Sequence, residues 1–319
     1  MTKTVLVLGA GASAPYGFPS GEGLKDGIAR LLLGQHPARG PLRGLDLTER
    51  LLAAGFSSEG LSRFGNTLAS SQRFSIDAFL ENRREFWDVG KAAIVASIAR
   101  FEEASSIARG VTVGGDWIRY LYDKLGDTIQ EQVSRPLSVV TFNYDRSFET
   151  WICQAWAADH GTSIDEGREF LGRLAVLHVH GDIGEQDYGT APGALNLRES
   201  ASRVRLVSED AADDERFKQA RALILDAQRV CFLGFGYHPM NVRRLEIYNE
   251  WPKGSPAAIL GHPPPPRKRV LGAAFDITPT EQQQIARLFS VPCDFPDRGH
   301  ELDALAFLRN STFLRDLLK

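Results

Sequence analysis

The stretch that most constrains the fold lies at the start of the chain, Thr4 to Gly17, reading TVLVLGAGASAPYG. Val5 to Leu8 is apolar without polar alternation, which predicts a strand buried on both faces of a parallel sheet, and it runs straight into Gly9 and Gly11. Such a turn lets backbone N–H groups approach a phosphate, and a helix beginning directly after it adds its unpaired N–H groups and the positive end of its dipole. The stretch therefore predicts a dinucleotide site. The fingerprint of an ordinary nicotinamide dehydrogenase is nevertheless incomplete. Ala14 holds the place of its third glycine, and Gly27 to Leu33 reads as helix where a second strand ending in an acid belongs.

Beyond this turn, Glu22 to Leu33 has the spacing of a helix, and the apolar residues from Gly34 to Arg135 also recur at helical intervals. Ser58, Ser75 and Asp116 are placed as N-caps within that region, which reads as a helical insertion. Short apolar runs return at Leu137–Phe142, Leu174–Val179, Val230–Phe235 and Ala257–Leu260, separated by helical stretches in the manner of a parallel sheet. The expected fold is α/β, a Rossmann-like parallel sheet flanked by helices. Its core spans residues 1–33 and 136–262, with an all-helical insertion at 34–135 and a C-terminal helical segment at 263–319. Within that last segment, His262 to Arg269 reads as an extended loop, Thr280 as the cap of a helix through Phe289, and Glu301 to Leu318 as further helix.

A chain of 319 residues, 43% hydrophobic and 24% charged, has the material for one large domain with an insertion or for two domains. Its formal net charge of −3 gives no electrostatic reason to expect direct binding to nucleic acid or to a membrane. Cys153, Cys231 and Cys293 are odd in number, far apart and free of CxxC spacing, which points to a reducing compartment and away from a metal site built on cysteines. No apolar run approaches the roughly 20 residues of a membrane span, and the N-terminal run is too short for a signal peptide. A cytoplasmic protein is expected.

Ligands of parallel sheets bind beyond the carboxyl ends of the strands, so the residues standing there matter most. Thr141-Phe142-Asn143-Tyr144-Asp145 ends the second run and offers a carbonyl, an amide and a carboxylate. His180 follows the third run and precedes a glycine, where an imidazole of near-neutral pKa could serve as a base. Gly234, Phe235, Gly236 and Tyr237 end the fourth, its glycines suited to close approach of a ligand. Taken singly, Asn143 and Asp145 read equally well as caps of the next helix and His180 as a turn histidine. Together at successive strand ends they point to a site.

In order along the chain, GAGAS, GFP (Gly17 to Pro19), FSIDAFL (Phe74 to Leu80), TFNYD, HG and LGFGY resemble the sirtuin superfamily, in particular its bacterial sirtuin-like branch of antiphage defence. The resemblance covers roughly Thr4 to Leu260. It implies NAD as substrate, with cleavage of its nicotinamide–ribose bond. By resemblance, Gly9, Ala10, Gly11 and Ser13 form the phosphate turn, with Pro19, Thr141 and Phe142 also at the cofactor. Asn143 corresponds to the asparagine that positions the ribose and the attacking water, Asp145 to its neighbouring acid and His180 to the catalytic histidine. Gly234, Phe235, Gly236 and Tyr237 correspond to the turn near the adenosine.

Sirtuin deacylases carry Gln at the place of Phe142, Ser at that of Asp182 and a hydroxyl residue at that of Gly236. An asparagine often stands where this chain has Gly261. They also use a four-cysteine zinc ribbon that three scattered cysteines cannot build. These departures favour water as the acceptor, hence a NAD hydrolase without metal, acting as a defence effector that depletes host NAD in abortive infection. The alternatives are a deacylase or ADP-ribosyltransferase, and a non-catalytic NAD-sensing subunit. By the same resemblance, the expected partners are further copies of the chain, a HerA-type ATPase or an Argonaute-like protein.

Overall fold

The computed structural model describes residues 3–125, 137–184, 196–206, 215–251 and 253–311. Strand β1 (Thr4–Leu8) forms where the apolar run predicts it and is buried along its whole length. It lies at the centre of a six-stranded sheet with β2 (Leu137–Thr141), β3 (Ala175–His178), β4 (Arg229–Leu233), β5 (Arg269–Gly272) and β6 (Cys293–Asp294). The order is β3-β2-β1-β4-β5-β6 and every neighbouring pair is parallel. This is the dinucleotide-binding order of a doubly wound fold. Its strand order reverses between β1 and β4, and the carboxyl ends at such a reversal are where sheets of this kind bind ligands. The α/β, Rossmann-like expectation holds.

Helices cover both faces. Along β1, Leu6 and Leu8 point into one core and Val5 and Val7 into another, as the two-residue period of a strand requires. The first core is shared with the region between β1 and β2, where α1 (Ala10–Ser13), α2 (Gly21–Leu32), α3 (Leu47–Ala53), α4 (Ser58–Ser70), α5 (Ile76–Leu80), α6 (Trp87–Ala104) and α7 (Trp117–Leu125) follow one another. The described residues between α2 and β2 contain no strand, as expected of the insertion, and its apolar residues form one continuous core with the sheet. α8 (Ser147–His160) and α9 (Ile164–Leu171) join β2 to β3 on the same face. α10 (Leu197–Arg203) and α11 (Glu215–Asp226) lie between β3 and β4, and Phe217, Ala220 and Ile224 of α11 fill the opposite core.

The expected caps are close to the observed ones. Ser75 accepts a hydrogen bond from Ala78 N at the start of α5, and Asp116 from Arg119 N at the start of α7. α4 is capped by Ser57, one residue before the expected Ser58.

The C-terminal third differs from expectation. Ala257–Leu260 is not a strand. A short helix, Pro256–Ile259, occupies it, started by Ser255 accepting from Ala258 N and by a proline in the first turn. Gly261 follows with φ of 67°, exposed on the surface. The fifth and sixth strands instead fall in the segment expected to be helical, at Arg269–Gly272 and Cys293–Asp294. The helix expected from Thr280 begins two residues earlier, with Thr278 and Glu281 forming a capping box around Pro279–Ala286. A short helix, Ala304–Asn310, follows β6, and the rest of the helical stretch expected up to Leu318 lies outside the described residues. No helix among the described residues is long and apolar enough to cross a membrane.

Candidate functional site

The register aligns four strand ends. Leu8 pairs with Thr141 on one side and Leu233 on the other, and Thr141 pairs with His178. The turns leaving β1 and β4 are pressed together: Gly9 N donates to Leu233 O at 3.0 Å and Gly11 N to Gly234 O at 2.9 Å. A Cβ on Gly9 would stand 2.6 Å from Gly234 O, and one on Gly234, whose φ is 58°, would stand 1.9 Å from Ala12 N. Glycine is required there for backbone to meet backbone. Two N–H groups expected to face a phosphate are therefore committed within the fold, and Ala12 N donates to Gly9 O. Ala10 and Gly11 are the exposed residues of the turn.

Asn143 stands two residues beyond β2, its backbone N–H donating to Thr141 Oγ1 at 3.0 Å. Its side-chain Nδ2 donates to Gly9 O at 3.0 Å and to Ser13 Oγ at 3.1 Å. The Ser13 hydroxyl donates onward to Asp145 Oδ1 at 2.9 Å, and that oxygen also accepts from the Ser147 backbone N at 3.1 Å and from the Ser147 hydroxyl. Both amide hydrogens of Asn143 are thus engaged, and the acceptor its side chain has to offer is Oδ1. Burial pushes the Asp145 carboxyl up, against the hydrogen bonds from Ser147 and Ser13 that favour its charge. Asp145 is linked to the Asn143 amide through Ser13.

His180 is 5% exposed, and its Nε2 is buried with no partner among the described residues. Its ring packs edge-on to Phe142 and Phe217 with centroids 5.3 and 5.8 Å away, and Tyr144 lies at 6.5 Å. Burial, aided by the charges of Arg244 and Arg216 and opposed by a hydrogen bond to the Arg205 backbone, pushes its pKa down to about 3. The near-neutral imidazole expected from the sequence is thereby corrected: this ring is neutral at physiological pH and holds a proton poorly. It can still take part in a hydrogen bond with a hydroxyl.

The other residues singled out in the sequence divide. Phe235 is buried against Phe142, with centroids 4.9 Å apart, beside the β1 turn. Gly236 is exposed with open space around it, and Pro19 is half-buried in the loop before α2. Tyr237 is a core residue whose hydroxyl donates to Ala273 O at 2.9 Å, so its contribution is packing behind the turn.

Several residues at the site went unmarked in the sequence. Tyr144 OH donates to the buried Asp77 of the FSIDAFL segment, tying the insertion to the strand end. Trp117 Nε1 donates to Ala12 O at 2.7 Å and Tyr16 OH to Asp116 Oδ1 at 2.9 Å, so α7 braces the β1 turn. Arg146, next to Asp145, forms a buried ion pair with Glu102 of α6 at 2.6 Å. Below Asn143, His178 Nε2 lies 2.5 Å from Glu149 Oε1 and Nδ1 lies 2.9 Å from Asn143 O. Burial alone would lower the His178 pKa, but the charge and hydrogen bond of Glu149, the Asn143 carbonyl and Asp182 raise it to about 9. Although His178 and His180 stand two apart, the chain turns after β3 and they reach opposite faces of the sheet, His178 toward Glu149 of α8 and His180 among Phe142 and Phe217.

No protein-family model matches the chain, and no curated protein matches it.

Proposed function

We propose that the chain is a NAD hydrolase of sirtuin-like type, releasing nicotinamide and ADP-ribose. The observation that carries this reading is Asn143. Its amide is anchored on Gly9 O and Ser13 Oγ, which fixes Oδ1 as an acceptor at the strand ends flanking the point where the sheet reverses. Such an acceptor suits a water or ribose hydroxyl held against the anomeric carbon of NAD. Nicotinamide leaves with the electron pair of the C–N bond, water adds to the oxocarbenium-like ribose, and the proton of that water passes to solvent. Orientation of the two reactants supplies much of the acceleration in such a step. His180 enters as a neutral partner for a ribose hydroxyl, and binding would satisfy its orphaned Nε2. Asp145 acts by holding Ser13, and through it Asn143.

Unregulated NAD hydrolysis would arrest the host cell, which fits the effector of an antiphage defence system controlled by further copies of the chain, a HerA-type ATPase or an Argonaute-like partner. A second reading, a NAD-sensing subunit without turnover, is favoured by the depth and low proton affinity of His180.

Nicotinamide release by the purified chain, with and without an acylated peptide, beside a calorimetric NAD titration separates them. Peptide-independent release that disappears in Asn143→Ala supports the hydrolase. Binding without release, in the presence of candidate partners as well, supports the sensor. Release only with peptide would overturn both in favour of a deacylase.

A further inference from the structure

The imidazole of His178 sits between two acceptors. Nδ1 faces the backbone carbonyl of Asn143 at 2.9 Å and Nε2 faces Glu149 Oε1 at 2.5 Å, with both side chains under 10% exposed. A carbonyl and a carboxylate both accept, so a ring that satisfies both carries a proton on each nitrogen. Glu149 lies in the first turn of α8, beside Ser147, which holds Asp145. Asn143 is thus gripped from two sides: its amide by Gly9 and Ser13, and its carbonyl by a charged ring whose counter-ion belongs to the next helix.

A buried ion pair is a costly way to stabilise a fold, because two charges must leave water and apolar residues of similar size are often as good or better. What this pair supplies that apolar residues cannot is a fixed N–H donor aimed at one backbone carbonyl. We propose that His178 and Glu149 are positioning residues for Asn143, Glu149 holding the His178 ring so that Nδ1–H fixes the Asn143 carbonyl and hence the direction of Oδ1. The inference rests on the reading of Asn143 as the residue that orients water or ribose.

Removing His178 alone leaves Glu149 buried without its partner, so the test uses double variants that remove the charge from both positions. His178→Leu with Glu149→Met deletes the donor and the ion pair together. His178→Asn with Glu149→Met deletes the same ion pair but keeps an N–H close to the position of Nδ1. The first is expected to lower kcat for nicotinamide release about 100-fold with KM for NAD changed less than about threefold, since a small misplacement costs turnover before binding. The second is expected to recover at least about tenfold of that loss. Equal kcat in the two variants would overturn the proposal, as a purely structural pair predicts.

If the wild type releases no nicotinamide, the hydrolase reading fails by itself. The grip on Asn143 is then read from its side-chain NH2 resonances in a 1H–15N spectrum. They should move in the Leu/Met variant and stay in place in the Asn/Met variant, and resonances unmoved in both would overturn the proposal.

Discussion

Ser13 shows how much rests on a single hydroxyl here. It accepts from Asn143 and donates to Asp145, the one atom through which the carboxylate reaches the amide. Ser13→Ala should leave the side-chain amide of Asn143 with one anchor and Asp145 with the Ser147 contacts, lowering nicotinamide release more than about tenfold while the protein stays folded, as judged by circular dichroism. His180 makes a different prediction. With its pKa near 3, it contributes no ionisation to catalysis between about pH 5 and 8. His180→Ala should abolish turnover, yet the pH–rate profile of the wild type should show no limb attributable to a histidine base in that range. The glycines separate just as sharply. Gly234→Ala would force a Cβ into the β1 turn and should prevent a stable fold, whereas Gly236→Ala, in open space, should change the unfolding free energy from denaturant titration by less than about 0.5 kcal/mol. Asn143 and His180 could be singled out in the sequence because they stand just beyond short apolar runs, whereas Ser13 was marked only by the family resemblance. Glu149 was not, since nothing about a glutamate in the first turn of a helix distinguishes a buried partner from a solvated one.

At the scale of elements, the insertion is the wall of the site. Glu102 on α6 meets Arg146 with side chains 14% and 7% exposed, and Asp77 in the first turn of α5 meets Tyr144. Glu102→Ala leaves a buried guanidinium without its carboxylate and should cost about 3 kcal/mol in urea unfolding, far more than loss of a surface pair. The first four strands could be read from the sequence because each is a short run dominated by apolar residues; β1 and nearly all of β4 are buried, whereas β3 at the sheet edge is only partly so. The last two could not. β5 has four residues with its first exposed, and β6 has only two, too short for any period to show. The expected strand at Ala257–Leu260 was apolar enough, but Ser255 and Pro256 in front of it carry the signal of a helix start, and that local chemistry prevailed.

For the whole molecule, the His178–Glu149 pair contributes stability that is lost on the alkaline side. The folded state raises His178 from 6.5 to about 9, so its contribution is fully present below 6.5 and is lost as pH rises through 9. The groups acting on it are Glu149, the Asn143 carbonyl and Asp182, itself paired with Arg203 at 3.0 Å. The melting temperature of the wild type should fall across that window, and that of the His178→Leu, Glu149→Met variant should fall much less. His180 has the opposite sign: its contribution is present above 6.5 and is lost as pH drops toward 3.

The clasp between the two glycine turns also bears on protein synthesis. Gly9 and Gly11 are synthesised long before Leu233 and Gly234, whose carbonyls receive their N–H groups. A nascent chain that has β1, β2 and β3 in hand still lacks the surface against which the first turn sets, and closing so long a loop is slow compared with local helix formation. The anchor of Asn143 on Gly9 O depends on that turn being in place. The proposed NAD hydrolysis would then be absent from every unfinished copy, its site completed by the arrival of the fourth strand and not before.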